Sequence, residues 1–281
     1  LSAFDLVTYG YKYFSPDNGQ VEYDEDILKS LQNSCFLFDT NELTGGEIWA
    51  ISSGYKMIVY SKNIGQLDIS ELETVRKDKL PVLKTVRTVN LPLKSMLRSL
   101  CFDKGSKRFA CGTIDGDVFL FDDFDSKPSE QKLIYNHKNN RVLCLAFVPG
   151  KNWLISSSTD KTIHIWDLAQ QKTVEELPVG EPVHKFVLIG EDHLIYTNST
   201  GNILSLDLNN IEREPAIIYS GNNHQPFQTL AYNGAHRWLV VSNSGTLSVF
   251  KIDPENLSII TSGQFTMKHK SQVSQVGFSP D

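Results

Sequence analysis

The side chains best placed to do chemistry lie close together in the chain: an imidazole at His137, hydroxyls at Ser156 and Ser158, and a carboxylate at Asp160. A serine within reach of a histidine that a carboxylate orients is the constellation of covalent acyl transfer, in which the ring takes the hydroxyl proton as the oxygen attacks. The local pattern argues against that use. No GxSxG elbow is present, and the serines fall inside WLISSS, a run that reads as a β-strand rather than a turn presenting a nucleophile.

Other chemistries find less support. His184, His193, His224, His236 and His269 are scattered without HExxH or an i, i+4 pair, so no metal site is expected. Cys35, Cys101, Cys111 and Cys144 form no CxxC pair and sit mostly in apolar stretches, which reads as buried free thiols in a reducing compartment. Neither GxGxxG nor GxxxxGK[ST] occurs, so no nucleotide or other cofactor is expected. Paired acids such as Asp122–Asp123 and the run at 24–26 read as solvated faces or helix starts. The net charge of -6 and pI near 5.7 give no general attraction to nucleic acid or to an anionic membrane.

The elements that would hold these side chains are mostly strands. From Gly45 onward the chain is a succession of short β-rich runs, among them YKMIVYS, RFACGT, DVFLFD, TIHIWD, HLIYTN and WLVVSN, separated by turn residues. One stretch stands apart: ISELETVRKDKL, residues 69–80, is charged enough to read as a long solvated loop or a helical insertion. The first forty-four residues also differ, with two helix-like patterns around a break at SPDNG that together read as a helical hairpin.

Internal repetition organises the rest. Phe102, Phe147, Leu188, Tyr232 and Phe278 each close an apolar run, and each of the first four is followed by turn, strand, polar turn and strand in the same order. A less regular unit precedes them, and GFSPD at the end opens another. A period of roughly 40 to 45 residues with strand composition points to propeller blades rather than helical solenoids.

One unit carries a recognisable signature: His137, Val142, Phe147, Pro149, LISSS, Asp160, then IHIWD ending at Trp166 and Asp167. It resembles the WD40 repeat, and HKSQVSQVGFSPD at 269–281 is similar to the opening of another. The remaining units are degenerate, closing on FD, LD and FK. The resemblance implies an all-β, WD40-type β-propeller over 45–281 behind a helical segment at 1–44. About five blades and the start of another are legible, as part of a ring that in this family most often has about seven.

The resemblance also implies roles. His137, Ser156 or Ser158, Asp160 and Trp166 match a buried hydrogen-bond network that braces the blade, which accounts for the serine, histidine and carboxylate without catalysis. His224 and His269 would replay His137 in their own repeats. Loops between blades and turns of the Asp160 type would share one face, making Arg98, Lys138, Asn139, Asn140, Arg141, Lys161, Gln225 and Phe227 candidate partner contacts. The expected function is a non-catalytic scaffold or sensor that binds a protein or peptide, with neither nucleic acid nor membrane as partner, in the cytoplasm. The alternative is a propeller hydrolase with its site in the central channel; MLRSLCF, VLCLAF, VHKFVL and FQTLAY, which open the units, are too apolar to favour it. The N-terminal pattern is similar to the segment before the propeller in some bacterial multidomain signalling NTPases and caspase-like peptidases. With the chain ending at Asp281 inside a repeat, a longer parent protein with other domains is expected.

Overall fold

The computed structural model describes residues 49–51, 58–73, 82–91, 93–105, 107–124, 130–221, 227, 229–243, 246–268 and 276. The hairpin expected at 1–44, Cys35, His224, Gln225, His269 and the terminal GFSPD lie outside them. The described residues form twenty strands and no helix, in five four-stranded antiparallel sheets whose spatial order follows the chain. The first sheet holds β1 (Trp49–Ile51), β2 (Ile58–Asn63), β3 (Gln66–Glu73) and β4 (Val82–Asn90). The second holds β5 (Leu97–Phe102), β6 (Phe109–Thr113), β7 (Asp117–Phe121) and β8 (Lys132–Asn136). The third has β9 (Val142–Phe147), β10 (Trp153–Ser158), β11 (Thr162–Asp167) and β12 (Lys172–Pro178). The fourth has β13 (Phe186–Ile189), β14 (His193–Thr197), β15 (Ile203–Asp207) and β16 (Ala216–Tyr219); the fifth has β17 (Thr229–Asn233), β18 (Trp238–Asn243), β19 (Thr246–Ile252) and β20 (Ile259–Lys268). First strands of successive sheets lie side by side, β1 against β5, β5 against β9, β9 against β13 and β13 against β17.

Burial explains why the central strands are apolar runs rather than alternating ones. Side chains along a strand point to opposite faces in turn, and here each face meets a neighbouring sheet. In β10, Leu154 packs with Ala110, Val118 and Phe147 against the second sheet, while Ile155 packs with Phe186, Leu194 and Leu206 against the fourth. In β14, Leu194 and Tyr196 face the third sheet and Ile195 joins Leu230, Leu239 and Phe250 of the fifth. In β6, Phe109 and Cys111 meet Val59, Leu67 and Ile69 of the first sheet, and Ala110 turns the other way. Four inter-sheet cores therefore hold five sheets. Phe109 anchors the first of them through ring contacts with Phe102, Phe121 and Phe124.

The fourth strand of each sheet has one neighbour instead of two. β8, β12 and β16 are correspondingly exposed or half-buried along their length. Each carries one extra residue opposite the third strand, Ile134, Val174 and Ile218, as β4 does at Val86. A bulge of this kind twists an edge strand and spoils it as a template for pairing with another chain.

Residues 69–73 correct one reading of the sequence. They are neither loop nor helix but the end of β3, with Glu71, Leu72 and Glu73 in register with Lys84, Leu83 and Val82 of β4. Pairing with β4 satisfies the backbone there, and a charged composition does not prevent it. Cys101, Cys111 and Cys144 are free thiols, with Cys111 and Cys144 buried, and burial pushes the Cys101 and Cys111 thiols well above their usual range.

The sheets meet with little slack at Gly112. A Cβ there would stand 2.6 Å from Ser99 Oγ and closer still to Val142 Cγ1, the first strand of the next sheet. Gly112→Ala is expected to destabilise the fold by about 1–3 kcal/mol through overpacking. The measurement is the urea midpoint at unchanged m-value, and an unaltered midpoint would show that the two sheets are not closely seated.

Candidate functional site

The connection from β8 to β9 and the turn from β10 to β11 meet at one end of the third sheet. Asn140 N–H donates to His137 O at 2.8 Å, closing a turn whose central residues Lys138 and Asn139 are both left-handed (φ 51° and 61°). Such a turn is suited to asparagine and costs a lysine more. Backbone bonds then link the loops to one another: Thr159 N–H to Arg141 O at 3.0 Å, His137 N–H to Gly116 O at 2.9 Å, and Val179 N–H to Lys161 O at 2.9 Å. Residues 114–116, 137–141, 159–161 and 179 are thus tied together at this end of the sheet.

Beneath it lies the network around His137, whose ring is completely buried. Its Nδ1 is 3.0 Å from Asp160 Oδ2 and its Nε2 is 2.7 Å from Ser156 Oγ. With a carboxylate on one side and a hydroxyl on the other, the consistent assignment is a neutral ring donating from Nδ1 and accepting the Ser156 proton at Nε2. Thr162 completes the carboxylate, donating from Oγ1 at 2.8 Å and from its backbone N–H at 2.9 Å to Asp160 Oδ1. Ser158 Oγ accepts the Asp160 N–H at 3.2 Å.

Trp166 is placed differently from the arrangement that the sequence implies. Register sets Ser156 opposite His164 and Leu154 opposite Trp166, so an imidazole rather than the indole is the cross-strand neighbour of Ser156. The Trp166 Nε1–H is buried with no hydrogen-bond partner among the described residues.

A second layer, not foreseen from the sequence, joins the second sheet to the third. Tyr135 of β8 stacks on His164 with ring centroids 3.5 Å apart, and its hydroxyl donates to Glu176 Oε2 at 3.3 Å. His164 Nε2 lies 3.1 Å from Thr173 Oγ1, and Lys138 Nζ donates to Glu176 Oε1 at 2.6 Å. Only Thr162 had a local signal, since a hydroxyl two residues after a turn aspartate is a common cap.

Electrostatics follow from burial. Burial lowers the His137 imidazole below its ordinary value, outweighing the attraction of Asp160, and lowers His164 to about 4, helped by His137. Burial alone would raise Asp160, but hydrogen bonds from Thr162 and His137 outweigh it and hold the carboxyl below its usual range. Tyr135 is raised to about 12 by desolvation and by Glu176.

The order Ser156–His137–Asp160 matches that of an acyl-transfer site, yet Ser156 is only 3 % exposed and His137 0 %. A nucleophile must touch its substrate, and these atoms are instead spent on one another. Among the described residues no group of three or more His, Cys, Asp or Glu is placed to hold a metal. His184 and His236 are exposed and His193 is half-buried.

Of the candidate contacts, Arg98, Lys138, Asn139, Arg141 and Lys161 are exposed and Asn140 is half-buried. Arg98 sits at the start of β5 and the others on the loops described above. Phe227 is half-buried and packs with Tyr219 and the core between the fourth and fifth sheets.

Comparison with known proteins agrees with this geometry. The family model described as WD domain, G-beta repeat matches residues 129–167. Human WD repeat-containing protein 55 is 25% identical over 181 residues, covering 62% of this chain and 46% of that protein. The chain thus spans less than half the length of that relative. A chain in the crystal structure of a mitotic checkpoint complex superposes with a TM-score of 0.65 at 15% identity, over 83% of this chain and 70% of its own. The β-propeller domain of Cps50 (Swd1) from Myceliophteria thermophila does so at 0.63 and 9% identity, over 83% and 76%. At these identities the structural likeness is one of fold.

Two outcomes follow from the network. Asp160→Ala takes the carboxylate from the buried Nδ1–H of His137 and leaves it the longer contact to Thr162 Oγ1 at 3.4 Å, and the expected loss is about 1–3 kcal/mol by urea denaturation. Both imidazoles titrate lower in the folded protein than the ordinary value of about 6.5, so the unfolded chain binds more protons below that pH. Stability is therefore expected to fall as pH drops from about 6.5 towards about 4, and His164→Gln to flatten that slope. Equal urea midpoints at about pH 7 and about pH 4.5 would contradict it.

Proposed function

We propose that this WD-repeat β-propeller works without catalysis, as a scaffold that holds a protein or peptide on the face formed by residues 137–141 and 159–161. The observation that carries the reading is the division of labour at that face. His137, Ser156, Asp160 and Thr162 are consumed internally, whereas Lys138, Asn139, Arg141 and Lys161 stand outward on loops tied together by backbone hydrogen bonds. Loops fixed in this way lose little freedom when a partner docks.

Arg98, Lys138, Asn139, Asn140, Arg141 and Lys161 form the proposed contact set. The parent is a longer chain acting in the cytoplasm, and a sensor role within a signalling protein is the narrower form of the proposal. It draws support from the helix-like sequence at 1–44. No observation favours the hydrolase alternative.

The test is capture of partners from a lysate of the source organism by the full chain and by the double variant Arg141→Glu, Lys161→Glu. Both positions are exposed, so the variant is expected to keep its stability within about 0.5 kcal/mol. Bound partner is expected to fall at least tenfold, about 1.4 kcal/mol of binding free energy. Undiminished capture by a folded double variant overturns this face as the contact surface.

A further inference from the structure

The charges of the proposed contact face are sorted by position. Its carboxylates are spent internally: Asp160 on His137 and Thr162, Glu176 on Lys138 and Tyr135, Asp117 on Asn136, and Glu181 on the Ser199 N–H. Asp115 is the exposed acid of these loops among the described residues. The cations face the other way. Arg98, Arg141 and Lys161 are exposed, and none makes an ion pair among the described residues, in a chain whose net charge is -6.

They are also neighbours by construction. Ser99 Oγ donates to Val142 O at 3.4 Å, which sets Arg98 of the first strand of one sheet beside Arg141 at the start of the next. Arg141 O accepts the Thr159 N–H at 3.0 Å, which brings in the turn that carries Lys161. Lys161 itself holds a left-handed conformation, φ 69°. The residue immediately before β3 and before β7, in the corresponding turns, is a left-handed glycine, Gly65 and Gly116. Glycine adopts that conformation without steric cost and lysine does not, so the third sheet displays a cation where the first and second sheets show no side chain. Met96, 52 % exposed and two residues before Arg98, adds an apolar spot to the same edge.

We infer that the partner of this face is an acidic segment, an extended peptide whose Asp or Glu side chains are received by Arg98, Arg141 and Lys161. The inference rests on the scaffold reading above and names the chemistry of its partner. Arginine offers a carboxylate two parallel N–H donors, and a fixed cluster of unpaired cations attracts an acidic chain against the overall charge of the protein.

The experiment is fluorescence anisotropy of a labelled decaglutamate peptide with the full chain, Arg141→Glu/Lys161→Glu, Lys161→Gly, and Lys172→Glu as a control. Lys172 is exposed at the opposite end of the third sheet. Binding is expected to weaken as salt rises from about 0.05 to about 0.15 M. The double variant is expected to lose roughly tenfold in affinity and Lys161→Gly roughly threefold with no fall in melting temperature, while Lys172→Glu binds as the parent does. No binding of decaglutamate overturns the inference, as does an equal loss in Lys172→Glu, or equal affinity for a single-stranded DNA of the same charge. If decaglutamate fails while the double variant still loses its lysate partner, the scaffold stands and the acidic partner falls; if both fail, the face itself is wrong.

Discussion

A small sheet with two apolar faces has no solvent side, and the architecture follows from that constraint. Leu154 and Ile155 are adjacent in sequence, yet one belongs to the core with the second sheet and the other to the core with the fourth. Neither core exists unless both neighbours are present. Each sheet is therefore stabilised by association rather than by itself, as in other repeat arrays where nearest-neighbour interfaces carry the stability. The same constraint pushes polar residues to places where a strand has no neighbour, which are the fourth strands and the connections at either end.

Those connections meet the opposite problem. The backbone groups of a turn that point inward between buried strands are cut off from water and must find a partner within the protein. In the third sheet the solution is long-range: a histidine from the inter-sheet connection reaches a serine on β10 and an aspartate in the next turn. The fully buried ring leaves no room for water to substitute, which makes the network a brace between loops that are distant in sequence. Tyr135, stacked on His164 and bonded to Glu176, extends the brace to the second sheet.

What the sequence made legible, and what it hid, divides along the same line. The first-strand positions of Phe102, Phe147, Leu188 and Tyr232 were readable because periodic burial leaves a periodic trace, and all four lie in the first strands of successive sheets. The link of His137 to Asp160 was readable because it belongs to a motif. The Tyr135–His164 stack was not, because it is made between sheets by residues that no local spacing relates. Trp166 was placed by the motif in a bond that the strand register does not make, since Leu154 rather than Ser156 stands opposite it. Charge misled at residues 69–73, where backbone pairing with β4 decides the conformation.

The degenerate sheets show what the network replaces. In the second sheet Thr113 Oγ1 accepts the Asp117 N–H at 3.0 Å across a turn containing Gly116. In the fourth, Asn198 Oδ1 accepts the Asn202 N–H at 2.9 Å and the Thr200 hydroxyl at 2.8 Å across a turn containing Gly201. These turns carry a cap from their own residues and use a glycine for the left-handed position, and no imidazole reaches into them among the bonds described above. The turn at 159–161 has no glycine. Its aspartate is anchored from outside by His137 and from within by Thr162, and that anchoring offsets the conformational cost of Lys161. A cation at the tip of this turn and a buried imidazole beneath it are thus two ends of one arrangement: the brace stabilises a conformation that lets the third sheet present a charged side chain where its neighbours present none.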